Sequence, residues 1–156
     1  GTALRNNLFY VLLVVPLLAV VRIVLNLIDG NLARRTGRIH PRGELFNEVG
    51  DRLADVAFLA PVAFLPGAWS QVVLLGVMTG VMASYVGITS KAAGGERLYG
   101  GILSKPGRMA LLCACCIWAL IASPDTTAWA VFGPVLLLGT TLTLLERIAT
   151  AVRRLP

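Results

Sequence analysis

The sequence predicts an all-α protein, a polytopic integral membrane helix bundle in which residues 1–156 form a single domain. Three observations carry that prediction. Charged residues make up 14% of the chain and hydrophobic ones 56%, where soluble domains carry roughly 25% charged residues. Apolar runs of near-spanning length recur between polar stretches rich in Pro, Gly and basic residues. All but Arg5 and Arg22 of the 14 Lys and Arg residues fall on one side once the runs alternate across a bilayer. A water-soluble globule and a disordered tail are excluded by this balance.

Five apolar segments follow in order: Leu8 to Leu27, Leu53 to Leu65, Trp69 to Thr89, Met109 to Ala122 and Ala128 to Leu145. The first is followed by a long polar stretch from Asp29 to Arg52. A Pro66-Gly67 turn, a Gly-rich basic stretch (Ser90 to Arg108) and Ser123-Pro124-Asp125-Thr126 separate the others. Trp69 and Trp129 stand at span ends, where amphipathic rings favour the interface. The basic stretches and the C-terminus are expected on the cytoplasmic side, because positive loops are retained there. That places the start of the chain outside. Arg5-Asn6-Asn7 reads as a loop between spans, so an earlier span is expected to precede Gly1. No internal repeat is visible.

The formal charge of +6 suggests nucleic acid at first sight. No basic stripe with interleaved aromatics supports that, and nucleic-acid binding is not expected. Cys113, Cys115 and Cys116 sit in one apolar run and read as packing residues rather than as a disulfide framework or zinc site. His40, beside Pro41, reads as a surface-loop histidine. Gly139-Thr140-Thr141 permits close helix packing, and a dimer seam is one use for it.

The second span carries the chemistry. Its apolar part covers only about 20 Å of a ~30 Å hydrocarbon core, so the helix is expected to extend back towards Gly43. Glu44, Asn47, Glu48, Asp51 and Asp55 then share an arc of about 100°. A carboxylate at bilayer depth costs on the order of 2.5–3.5 kcal/mol on insertion scales, so such a face must meet water, cations or partners. At the end of the first span Arg22, Asn26 and Asp29 share a face. Arg22 is expected to snorkel or to pair with a neighbour's carbonyl, with an anionic substrate as the sharper alternative. Gly30 and Ala33 leave the backbone open to a flat ligand. Oxygen ligands on two helices suit Mg²⁺, Mn²⁺ or Ca²⁺, and nearby arginines suit phosphate. The residues alone therefore point to metal-assisted phosphoryl-group chemistry at a membrane surface.

Asn26-Leu-Ile-Asp29-Gly30-Asn-Leu-Ala33-Arg34, followed after eight residues by Gly43-Glu-Leu-Phe-Asn47-Glu-Val-Gly-Asp51, resembles the CDP-alcohol phosphatidyltransferase signature. The spacing is kept throughout, with Asn26 and Asn47 where that signature has its first and third aspartates. Gly100-Gly101-Ile-Leu-Ser-Lys105-Pro-Gly-Arg108 is similar to the family's basic loop before its fifth span. The resemblance implies a six-span enzyme fold, of which five spans lie here. It also implies transfer of a phosphatidyl-type group from a CDP-linked donor such as CDP-diacylglycerol to a small polar alcohol, with release of CMP.

By the same resemblance Asp51 is the general base, and Asn26, Asp29, Asn47 and Asp51 are ligands for Mg²⁺ or Mn²⁺. Asp29, Gly30, Ala33, Arg34 and Gly43 would line the donor pocket, and Lys105 and Arg108 would neutralise phosphate. A homodimer and an inner- or plasma-membrane location with a cytoplasmic site are further implications.

Each Asn keeps an oxygen ligand and removes a negative charge. Glu48 or Asp55 is therefore expected to replace lost charge at the metal site. The alternatives are a degenerate member that binds CDP-lipid or phospholipid without turnover, and a scaffold subunit. A small multi-pass carrier ranks last, because the final two spans show no polar path.

Overall fold

The computed structural model describes residues 10, 12–22, 24–25, 28, 41–122 and 126–155. Asn26, Asp29, Gly30, Ala33, Arg34 and His40, all singled out above, lie outside these described residues. The described residues are helical throughout apart from turns and loops, and none forms a strand. In order they are α1 (Leu12–Arg22), α2 (Pro41–Leu59) continued by a 3₁₀ turn (Ala60–Phe64), α3 (Ser70–Ala92), α4 (Lys105–Ala122) and α5 (Thr127–Arg154). The protein is a helical membrane bundle, as the composition requires.

Among the described residues, three helices are long and apolar enough to cross a membrane: α3, α4 and α5. Helix α1 is a shorter apolar helix among the described residues. Helix α2 differs for a local reason. Pro41 starts it, where a missing N–H costs nothing and φ is already set. Pro61 then cannot donate to the turn behind it, and the helix tightens into the 3₁₀ segment. The backward extension expected from hydropathy is present, and it begins at Pro41.

Two ends of the bundle are now distinct. At one, Leu65-Pro66-Gly67-Ala68 makes a tight turn in which Ala68 N donates to Leu65 O at 3.1 Å. Gly67 has φ +83°, so Pro and Gly occupy the central positions of a type II turn. A Cβ on Gly67 would also lie 2.9 Å from Thr126 O at the start of α5. Trp69 is exposed there, as expected for an interfacial ring. Trp129 is not: it is buried and packs edge-on to Phe132 with ring centroids 6.5 Å apart. Core packing has claimed that ring, because its side of α5 faces the bundle.

Between the ends, α3 and α5 pack against each other through small residues. A Cβ on Gly76 would come within 2.9 Å of Leu136 Cγ, and one on Gly133 within 3.1 Å of Val73 Cγ2. Lipid tails are as apolar as leucine, so helices in a bilayer associate by such close approach rather than by exclusion of water. Thr79 and Thr140 hydroxyls meet across the seam at 2.6 Å, and Thr140 Oγ1 also donates to Leu136 O at 2.7 Å. Gly139 faces Leu103 of the preceding connection. The Gly139-Thr140 pair is thus used within the chain. Cys115 and Cys116 are buried free thiols and Cys113 is half-buried, in keeping with packing roles.

Candidate functional site

The other end of the bundle gathers the charges. Helix α2 sends its acidic face inward, and every carboxylate on it meets a cation from another element. Glu44 pairs with Lys91 at the end of α3, and Glu48 with Arg97 of the α3–α4 connection. Asp51 Oδ1 lies 2.5 Å from Lys105 Nζ at the start of α4. Deepest, Asp55 Oδ1 accepts from Arg22 Nη2 at 3.0 Å and Oδ2 from Arg108 Nη2 at 2.7 Å. Arg52, on α2 itself, stands 3.8 Å from both Glu48 Oε2 and Asp51 Oδ2.

Burial grades along this face. The Glu44 side chain is 36% exposed, Asp51 13% and Asp55 2%. The gradient sets what each pair does. At the exposed first turn of α2, the Lys91 ammonium hydrogen-bonds Glu44 and holds its carboxyl below the usual range. At the buried end, neither Asp55 nor Arg108 could stand alone, because an unpaired buried charge costs several kcal/mol. Arg108 Nη1 donates to Gly80 O at 3.2 Å. Gly80 permits this approach, since a Cβ there would sit 3.3 Å from the guanidinium.

Arg22 ties α1 to this network. Its Nη2 donates to Asp51 O at 3.0 Å as well as to Asp55, and its guanidinium lies 5.7 Å from the centre of the Phe58 ring. The alternative in which it pairs with a neighbour's carbonyl is therefore realised, together with a carboxylate that sequence reasoning had not joined to it.

Between α1 and α2 a cleft of about 500 Å³ opens beside this pair. Arg22, Asn47, Gly50 and Asp51 supply its polar wall. Leu18, Val21, Leu25, Phe46 and Phe58 supply its apolar wall. Most of these apolar side chains lie on the outer face of the bundle: Leu18, Leu25 and Phe46 are all about half exposed or more. The cleft thus joins a charged floor to a lipid-facing rim.

The sequence-derived residues separate into three groups. Asn47 and Asp51 line the cleft, and Lys105 touches Asp51 from α4. Glu48, Asp55 and Arg108 are buried in ion pairs behind it. Gly43 is on the outer first turn of α2 with nothing within 4 Å of where a Cβ would be. Among the described residues no three of His, Cys, Asp and Glu converge as they would to hold a metal ion. The described part of the site offers a divalent cation Asp51 and Asn47. Asn26 and Asp29, the other ligands that the resemblance implies, lie outside the described residues.

Sequence reasoning missed the cations that serve α2. Lys91 and Arg97 were counted only towards orientation, as was Arg147, whose guanidinium meets main-chain carbonyls rather than an acid of α2.

No family model matches this chain, and no solved structure matches it. Among curated proteins, inner membrane protein YnbA of Escherichia coli (strain K12) is 31% identical over 96 residues, which is 62% of this chain. The chain spans about half (48%) of that protein's length.

Proposed function

We propose that this chain is a membrane phosphotransferase, which moves a phosphatidyl-type group from a CDP-linked lipid such as CDP-diacylglycerol to a small alcohol and releases CMP. One observation supports this above the others: the cleft that puts Asp51, Asn47 and Arg22 against an apolar rim open to lipid. A substrate suited to it has a polar, anionic head and acyl chains, and enters from the bilayer side. The spacing shared with the CDP-alcohol phosphatidyltransferase signature names the head. The similarity to an inner membrane protein supports an inner-membrane location, and the gathered basic residues support a cytoplasmic site.

In this reading Asp51 accepts the proton of the acceptor hydroxyl as its oxygen attacks the lipid-side phosphorus. The bond from that phosphorus to the bridging oxygen breaks, and CMP leaves with the electron pair. Lys105 and Arg22, both close to Asp51 Oδ1, offset charge on the phosphates. Asn26, Asp29, Asn47 and Asp51 would hold Mg²⁺ or Mn²⁺, which when bound supplies further neutralisation of the diphosphate. A homodimer belongs to the same reading.

A second reading has its own observation. Asn26 and Asn47 stand where the signature has aspartates, and the nearby acids Glu48 and Asp55 are already committed to Arg97, Arg22 and Arg108. With neither Glu48 nor Asp55 free to replace the lost charge beside Asp51, the protein would bind CDP-lipid or phospholipid without turning it over.

CMP release from CDP-diacylglycerol, with Mg²⁺ or Mn²⁺ and a panel of alcohols, separates the two. Release that chelator abolishes is expected. Silence from this chain, with release by the Asn26→Asp, Asn47→Asp double variant, would replace turnover by binding.

A further inference from the structure

Arg147 is buried on α5, and no described ion pair includes it. Its guanidinium is spent on main-chain carbonyls. Nε donates to Gly100 O at 2.8 Å, Nη2 to Tyr99 O at 2.9 Å and Nη1 to Ala83 O at 2.7 Å. Two of those carbonyls are consecutive in the α3–α4 connection and the third belongs to α3. A planar fork of donors spans such a set, whereas a lysine ammonium concentrates its donors at one point.

The neighbours complete a fastening. One turn earlier on α5, Thr143 Oγ1 accepts from Leu103 N at 2.9 Å. Gly101 lies against the same threonine with φ +129°, where a side chain would be strained and a Cβ would meet Thr143 Cβ at 3.0 Å. On the α3 side, Leu98 N donates to Gly87 O at 3.3 Å, and Ser90 Oγ donates to Glu96 O at 2.9 Å. The connection is thereby held to both α3 and α5. From the Tyr99–Gly100 clamp the chain runs back to Arg97, which pairs with Glu48, and forward to Lys105, which pairs with Asp51.

We infer that Arg147 is a positioning residue: by gripping the Tyr99 and Gly100 carbonyls it sets how Arg97 and Lys105 reach the acidic face of α2. It acts through those cations and touches none of the reacting groups. The clamp itself stands apart from the proposed chemistry, and only its kinetic consequence rests on that reading.

The test uses the full chain in membranes, with Cys113, Cys115 and Cys116 replaced by Ala and the pair Glu48→Cys, Arg97→Cys introduced. A short bifunctional thiol reagent then reports whether the connection still sits over α2. Arg147→Met and Arg147→Lys are each expected to slow cross-linking about tenfold, within the range of coupling energies for contacting groups. Trp69→Cys, made alone at the far end, is expected to label with a thiol reagent at an unchanged rate, showing that the variants still insert and fold. Unchanged cross-linking in both variants would overturn the inference, whatever the activity.

In chains that retain the native Glu48 and Arg97, CMP release supplies a second arm. Arg147→Met is expected to lose little more activity in a Lys105→Met background than Lys105→Met alone has lost. Fully additive losses would also overturn the positioning role. Slowed cross-linking in a protein whose parent releases no CMP upholds the clamp and removes the transferase reading instead.

Discussion

The α3–α5 seam and the α1–α2 cleft are two helix contacts built on opposite principles. The seam brings backbones together by deleting side chains at Gly76 and Gly133 and satisfies its few hydroxyls internally, through Thr79 and Thr140. It leaves no room. The cleft is bridged by a long side chain, Arg22, reaching from α1 to Asp55 and to the backbone of Asp51, and a volume of about 500 Å³ remains beside it. Small residues in a membrane give rigidity, because dispersion contacts are strongest when surfaces touch. A charge pair can fix two helices at a distance, and so leaves space for a ligand whose own charge it can meet.

The largest expected effect strikes the cleft side alone. Asp51→Asn keeps the shape of the wall and removes the proposed base. Transferase activity should fall by about 10²–10⁴-fold, with the protein still inserted in the membrane. Activity measured at the parent's level in that variant would remove Asp51 as the base.

Next comes the pin that holds the cleft open. Asp55→Ala leaves Arg108 buried without its counter-charge, and a loss of about 3–5 kcal/mol is expected in detergent unfolding. Loss of under about 1 kcal/mol, the range of surface pairs, would show that water reaches this end and that the pin is ornamental.

A matched pair of glycine substitutions then sets the two contacts directly against each other. Gly76→Leu forces side-chain atoms into Leu136 and should cost about 1–3 kcal/mol as overpacking. A Cβ on Gly50 would meet nothing within 4 Å, and Gly50→Leu points its side chain at the open cleft. It should leave stability within about 0.5 kcal/mol, as surface changes do, while reducing binding of a CDP-lipid to the cleft it lines. Equal losses of stability from both would abolish the distinction between seam and cleft.

The smallest effect belongs to the exposed rim. Lys91 lowers the Glu44 pKa from its ordinary value of 4.5. A carboxylate lowered in this way contributes stability above its unfolded value and loses that contribution as pH falls through the lowered folded value. Wild type should therefore exceed Glu44→Gln slightly in melting temperature at neutral pH. The difference should vanish well below pH 4.5 and shrink in high salt, since the pair is exposed. A difference that grows on acidification would reverse the assignment.

How much of this was legible beforehand differs between the two contacts. Helix positions and the Pro66-Gly67 turn followed from hydropathy and local chain stiffness. So did the one-sided acidic face of α2, because the 3.6-residue period assigns residues to faces without knowledge of neighbours. Asp51 and Asn47 were singled out and line the cleft. Partnership was not legible. Arg22 and Asp55 are 33 positions apart, Asp55 and Arg108 are 53 apart, and Arg147 reaches carbonyls 47 and 48 positions away. A main-chain carbonyl carries no signature in the sequence, so the target of Arg147 could not be read from any pattern of side chains. Trp129 likewise sits at a span end by sequence and in the core by packing.

The sequence by itself therefore determined that this is a helical membrane protein, where its segments run, and which face of α2 is acidic, since these depend on composition and on periods internal to each helix. Only the tertiary structure decided which cation meets each acid, where the helices touch and where they stand apart, and which residues hold the basic connection over α2. Those choices depend on how helices distant in sequence are placed side by side, and a buried charge is tolerated only where that placement supplies its partner.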